Sequence, residues 1–449
     1  MNKGSPDAAA QSIPPGKSVQ PPADAETIPV LSPSPLAPDE LAREQALAQT
    51  LVEEKDSESR TRMFSGPWAN IVSALALAFS LFQLAASTFW TLDAITLRAV
   101  HILFLLTLSF LLYPALRREQ RQRRAPTLYD ALCICAGLFS FGYLVLNYTN
   151  ITLRGGWFEP ADYAVASVGL IVCFEMARRV VGNLAALALV FLAYNFFGYL
   201  IPGAFGHPGY SWNRVVEHMF WGSQGLLGVG VGVSATYIFL FVLFGAFLKY
   251  SGFSDFINDL ALTLVGRTAG GPAKVSVIAS ALMGMINGSA LANVATTGAI
   301  TIPLMKKTGY RAEFAGAVEA VASTGGQFAP PIMGAVGFIM AEFLGVPYTT
   351  VMLAAAIPAF LYYFTLLMAV HFEARKLGLR GLSREHIPNA ANVLKERGHL
   401  LLPLIALMAL LFMGYTPLFA AAISIAVTVA ASWLSPRTRM GLSSILMAM

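Results

Sequence analysis

Long apolar runs separated by short polar breaks dominate this chain. Such runs lie at 69–90, 95–116, 128–149, 162–181, 183–203, 226–249, 349–372 and 400–434. Most reach the roughly 20 residues that a helix needs to cross the hydrocarbon of a bilayer. The last is long enough for two helices, and Gly414-Tyr415-Thr416-Pro417 in its middle predicts a hairpin turn. A shorter piece, Trp212 to Trp221, sets aromatic residues beside Arg214, Glu217 and His218, the mixture expected of a helix lying in the membrane interface. Between 250 and 348 the apolar pieces are short and cut by Gly, Pro, Asn, Ser and Thr. The pattern predicts an all-α polytopic membrane protein with one irregular region.

Composition agrees. Of 449 residues, 56% are hydrophobic and 12% charged, against about 45–50% and 25% in soluble domains. A soluble enzyme, a nucleic-acid binder and a disordered scaffold are excluded. Cys133, Cys135 and Cys173 all fall inside apolar stretches with no metal-site spacing, and read as small hydrophobes. Residues 1–63 are different: rich in Pro, Ala and acid, with six Lys/Arg and ten Asp/Glu and no apolar core. They predict a disordered cytoplasmic tail, not a signal peptide. The chain as a whole is +5, so the remainder carries +9.

That surplus has an address. Arg117, Arg118, Arg121, Arg123 and Arg124 follow the second run, which places that loop and the N-terminus in the cytoplasm. Counting onward, 21 of the 24 Lys/Arg after residue 63 fall on the same side; Arg98, Arg154 and Arg214 do not. The basic charge therefore reads as membrane orientation, with no nucleic acid needed. The same count constrains the irregular region. Segment 273–305 must begin and end on the cytoplasmic side but is too short for two full crossings, so it is expected to be a re-entrant hairpin. Segment 312–346 must cross once, with Gly325-Gly326 and Pro330-Pro331 interrupting it. Irregular backbone at membrane depth survives only where protein covers it or a polar cavity borders it.

Candidate chemistry sits at these two interruptions. The hairpin turn offers Asn287, Ser289, Asn293, Thr296 and Thr297 as neutral oxygen donors, with Gly288 free to unwind. The broken helix offers Ser323, Thr324 and Gly326, and its paired glycines suggest left-handed backbone together with close approach. Unwound carbonyls and half-helix C-termini suit a sodium ion, while half-helix N-termini suit an anionic substrate. Small-residue helix packing competes as an explanation for any single Ser or Thr. Among charged residues at depth, Glu175 is expected to pair locally with Arg178 and Arg179, and Glu313 to be solvated. Glu319, close to the Ser323 break, is expected to be a helix-to-helix contact or a coupling group. Gln83, His101 and Asn195 read as packed polar residues. No nucleotide-binding loop or nucleophile–base set occurs, so an enzyme is not expected and no cofactor is called for beyond sodium as coupling ion.

The series Phe241-Val-Leu-Phe-Gly-Ala-Phe-Leu248, Gly270-Gly-Pro-Ala-Lys-Val275, Asn287-Gly-Ser-Ala-Leu-Ala-Asn293, Thr301-Ile-Pro-Leu-Met305, Ser323-Thr-Gly-Gly326 and Pro330-Pro-Ile-Met-Gly334 resembles the fused membrane subunit of tripartite ATP-independent periplasmic (TRAP) transporters, in particular the TAXI type. The resemblance covers about residues 64–449. It implies a small four-helix-type domain over 64–206, then the first part of an elevator-type large domain over 207–449. It further implies sodium-driven uptake of an organic anion such as a dicarboxylate across the bacterial inner membrane, with a periplasmic substrate-binding protein as partner. On this reading the sodium site and the adjacent substrate surface are formed by Asn287, Gly288, Ser289, Asn293, Ser323, Thr324 and Gly326. The family pattern has a second hairpin-and-break repeat that has no counterpart here. The alternative expectation is therefore a truncated or split half, inserted in the lipid bilayer but unable to transport without a separate chain carrying that repeat.

Overall fold

The computed structural model describes residues 66–115, 125–384 and 387–449, with Ala46, Thr61, Arg62 and Phe64 before them and without the Asn287 side chain. The acidic tail and the arginine-rich loop fall almost wholly outside the described residues, and so do the expectations placed on them. No strand occurs among the described residues.

Among the described residues seven helices are long and apolar enough to cross a bilayer, and each lies within a few residues of an expected run. Five come first: α1 Pro67–Thr88, α2 Ala94–Leu112, α3 Leu128–Leu153, α4 Pro160–Val180 and α5 Asn183–Leu200. Their starts are set locally. Asp93 caps α2 by accepting from the backbone N–H of Ile95 and Thr96, and Thr127 with Asp130 closes a reciprocal capping box on α3. The α2 residues Ile95, Ala99, Ile102, Leu106 and Phe110 recur every three or four positions, so one face packs on α3 and α4. The interfacial piece begins as α6 Trp212–Val216 and widens into one π turn, Glu217–Trp221. Its Phe220 ring rests directly on α4 at Gly169, where a Cβ would lie 2.3 Å from the ring.

Charge ties down the expected cytoplasmic end of this bundle. Glu175 pairs with Arg178 and Arg179, as expected. The buried Asp130 carboxylate in addition bridges Arg179 at 2.6 Å and Arg62 at 2.8 Å. Arg62, assigned by composition to the tail, is thus buried in the bundle. Cys133 and Cys173 are buried and Cys135 faces outward.

The rest of the chain surrounds a second, larger core. It comprises α7 Val229–Tyr250, α8 Phe253–Val265, α9 Gly271–Asn287, α10 Ala290–Asn293, α11 Ala299–Lys307, α12 Ala312–Gly325 and α13 Gly334–Leu344. The spanning helix α14 Tyr348–Lys376 follows, then α15 Ala390–Arg397, α16 Leu402–Phe412, α17 Pro417–Ser432 and α18 Leu442–Ala448. The expected hairpin is formed by α16 and α17, with Gly414 at φ +85° in its turn. A polar contact docks the two parts. Gln83 Nε2 on α1 reaches His101 Nδ1 on α2 at 2.7 Å and donates to the Ala235 carbonyl at 2.9 Å. That carbonyl belongs to a π turn, Ser234–Ile238, inside α7, where the regular ladder is interrupted and an outside donor is accommodated.

Candidate functional site

The hairpin is built by two stop signals. Helix α9 has 17 residues, about 25 Å at 1.5 Å each, short of a hydrocarbon core of about 30 Å. It ends at Gly288, whose φ of +66° costs a Cβ-free residue little. Ser289 then caps the return, its Oγ accepting from Ala292 N–H at 3.3 Å. The returning arm is irregular: α10, a π turn over Val294–Gly298, and α11 with Pro303 inside it. The two arms lie side by side. Ser280 Oγ meets Thr297 Oγ1 at 2.9 Å, and a Cβ on Gly284 would sit 3.2 Å from Asn293 Nδ2. Ser276 and Thr301 face each other one turn farther from the bend, through a shared partner. Three levels of small or polar residues thus form one seam.

Helix α12 lays a carboxylate into that seam. Glu319 is fully buried. Its Oε2 accepts from Ser276 Oγ at 2.5 Å and Thr301 Oγ1 at 2.6 Å. Its Oε1 accepts from Ser280 Oγ at 2.6 Å, Thr297 Oγ1 at 2.5 Å and Ser323 Oγ at 3.2 Å. Five hydroxyls from both arms and from α12 itself surround one acid, and no Lys or Arg of the described residues is bridged to it. Above it, Asn293 Nδ2 donates to the Ser280 carbonyl at 2.9 Å and to Ser323 Oγ at 3.0 Å.

The break follows within a turn. After α12 the chain makes one 3₁₀ turn, Gly326–Phe328, and resumes as α13 beyond Met333. A Cβ on Gly326 would lie 2.4 Å from the Gly284 carbonyl carbon, so the backbones of α9 and α12 touch. On the far side of the break, a Cβ on Gly334 would be 3.3 Å from Gly288 Cα, so the hairpin turn meets the start of α13. Gly325 faces elsewhere, against Tyr362 and Tyr363 of α14, whose hydroxyls donate to the Val321 and Ala322 carbonyls at 2.8 and 3.1 Å. The expectation of left-handed backbone at these glycines is corrected. Gly325 and Gly326 have φ of −61° and −58°, and what excludes a side chain is the neighbouring backbone or ring.

The residues singled out by sequence separate into two groups. Asn293, Ser323 and Gly326 come together in the buried centre, with Gly288 alongside Gly334. Ser289 and Thr324 are exposed; Thr324 donates back to the Ala320 carbonyl at 2.7 Å. Asn287 ends α9, and its side chain lies outside the described residues. Sequence reading passed over Ser276, Ser280 and Thr301. The signal was present: Ser276/Ser280, Thr297/Thr301 and Glu319/Ser323 are each four apart, which puts both members on one helical face. Chemically, the centre joins neutral oxygens to the C-terminal end of α12, where the dipole is negative. Such a place suits a small cation. No group of three or more His, Cys, Asp or Glu that could hold a metal occurs among the described residues.

A family model described as "Tripartite ATP-independent periplasmic transporter, DctM component" matches residues 168–449. The chain belongs to this family. The match takes in α5 through α18 and both interrupted segments. Similar proteins include the sialic acid TRAP transporter large permease protein SiaM of Vibrio cholerae, 31% identical over 187 residues, which are 41% of this chain and 43% of the relative. The C4-dicarboxylate TRAP transporter large permease protein DctM of Pseudomonas aeruginosa is 30% identical over 188 residues, 41% and 43% of the two chains. The 2,3-diketo-L-gulonate TRAP transporter large permease protein YiaN of Escherichia coli is 31% identical over 140 residues, 31% and 32%. The matched stretches span less than half the length of these relatives. Family and apolar helices together make this a multi-pass inner-membrane protein.

Proposed function

We propose that the chain serves in sodium-coupled secondary uptake of an organic anion, as a membrane component that receives its substrate from a periplasmic binding protein. The observation that carries this reading is the meeting of two interrupted segments, hairpin turn and broken helix, through Gly284 with Gly326 and Asn293 with Ser323. Sodium is held by neutral oxygens at that junction, near the negative end of α12. The three relatives are named for sialic acid, C4-dicarboxylates and 2,3-diketo-L-gulonate, all carboxylic acids, which supports an organic anion as cargo. Residues 64–206 serve as the fused small membrane domain; what supports that assignment is the core that α2, α3 and α4 form, which Val216, Phe220, Trp221 and Leu227 complete from the segment that follows. The N-terminus is cytoplasmic, on the strength of the 21-to-3 distribution of basic residues.

The test is uptake into proteoliposomes by the complete system: this chain, its binding protein and any partner chain carrying a second repeat. Labelled succinate and sialic acid serve as probes. Inward sodium gradients should drive accumulation, and replacing sodium by potassium should abolish it. Accumulation that is indifferent to the replacement would overturn the coupling.

A further inference from the structure

We infer that Glu319 is a positioning residue for the cation site, acting through Ser323 on Asn293; the inference rests on the sodium reading above. The direction of each hydrogen bond in this chain is fixed by what its ends can do. The Ser280 carbonyl can only accept, so the Asn293 atom 2.9 Å from it must be the amide nitrogen. The second hydrogen on that nitrogen points to Ser323 Oγ at 3.0 Å, which therefore accepts. The Ser323 hydroxyl hydrogen must then go to an acceptor, and Glu319 Oε1 lies 3.2 Å away. Glu319 accepts from all five of its hydroxyl partners, so it sets the polarity of the relay and with it the orientation of the Asn293 carboxamide beside the break.

The other four hydroxyls make the anchor rigid. Ser276 and Ser280 hold the carboxylate to α9, and Thr297 and Thr301 hold it to the returning arm, all at 2.5–2.6 Å. Oxygens that close share a strong hydrogen bond. These four contacts commit the Glu319 carboxylate to the anchor. It holds the two arms and α12 in one register, one helical turn from the break, and its effect on the ion is transmitted by Ser323 and Asn293. Outer-shell groups of this kind typically change metal affinity by about 10–100-fold when replaced.

The experiment measures sodium binding by the full purified chain in nanodiscs, reading the rise in unfolding midpoint as sodium chloride replaces potassium chloride at constant ionic strength. Glu319→Gln keeps the shape but offers an N–H to hydroxyls that now donate. It should fold, and its half-saturating sodium concentration should rise by roughly tenfold or more. Ser323→Ala, which cuts the relay directly, should raise it similarly, and the double variant should be little worse than either single one, since both cut the same chain. Glu319→Gln with an unchanged half-saturation overturns the positioning role alone. Fully additive effects in the double variant overturn it too, because they show independent action. A wild-type chain with no sodium-specific stabilisation instead overturns the sodium reading, and the positioning role with it. If Glu319→Gln fails to fold, Ser276→Ala supplies the measurement: it loosens the anchor at the far oxygen, and an unchanged half-saturation there overturns the inference.

Discussion

Replacing Gly326 by alanine isolates the contact on which the site depends. The new Cβ would meet the Gly284 carbonyl carbon at 2.4 Å, Gly284 Cα at 2.5 Å and Met285 N at 2.8 Å. All three are backbone atoms, so no side chain can swing aside. Restoring ordinary contact requires α9 and α12 to separate by about 1 Å. The Asn293–Ser323 bond, 3.0 Å long, joins the returning arm to α12; because Asn293 is also tied to the Ser280 carbonyl of α9, that separation takes the bond beyond hydrogen-bonding range. Overpacking of this kind costs about 1–3 kcal/mol and the broken hydrogen bond about 1 kcal/mol more. The expected loss is therefore about 2–4 kcal/mol. Two variants in or beside the same helix calibrate it. A Cβ on Gly316 meets nothing within 4 Å, so Gly316→Ala should be neutral or stabilising by up to about 1 kcal/mol. Gly325→Ala presses on ring and hydroxyl atoms of Tyr362 and Tyr363, which can shift, and should fall between the two. Chemical unfolding of the purified chain in lipid nanodiscs, followed by tryptophan fluorescence, ranks the three. A Gly326→Ala chain as stable as Gly316→Ala would refute the claim that these backbones touch.

In a chain with Cys135 replaced, a cysteine at Gly155 should react with an impermeant thiol reagent in intact cells and one at Arg384 should not; labelling of Arg384 would reverse the orientation argued from charge. Asp130→Asn leaves buried Arg179 and Arg62 without their shared carboxylate, and should destabilise the first bundle by about 3–5 kcal/mol; thermal unfolding equal to wild type would show that the guanidiniums find other partners. His101→Leu removes the acceptor of one Gln83 N–H and the partner of Ser234 Oγ at 3.1 Å. It should cost about 1–3 kcal/mol, read as a lower unfolding midpoint, and no change would mean that this network does not dock α1 and α2 on α7.

Which segments form helices in lipid was legible along the chain, because length and apolar content answer to bilayer thickness without reference to neighbours. The sequence also marked where the helices fail. Gly288 and the pair Gly325-Gly326 break the apolar pattern, and their surroundings of Asn, Ser and Thr identify a polar junction. The assignment of Arg178, Arg179 and Glu175 to one cluster was legible for the same reason, since helical spacing alone brings them together. What spacing cannot give is which faces meet. That Asn293 reaches Ser323, 30 residues away, follows from the fold-back of the hairpin onto α12. That Gly326 rather than Gly325 touches the hairpin follows from a rotation of about 100° between consecutive helical positions, which only the packing of α9 against α12 fixes. Glu319 is the strongest case. Read along the chain it is one acid on an apolar helix, open to several roles. Its five hydroxyl partners come from three segments between Ser276 and Ser323, and an uncompensated carboxylate at this depth would be costly. Tertiary structure alone supplies the donors that make it stable there.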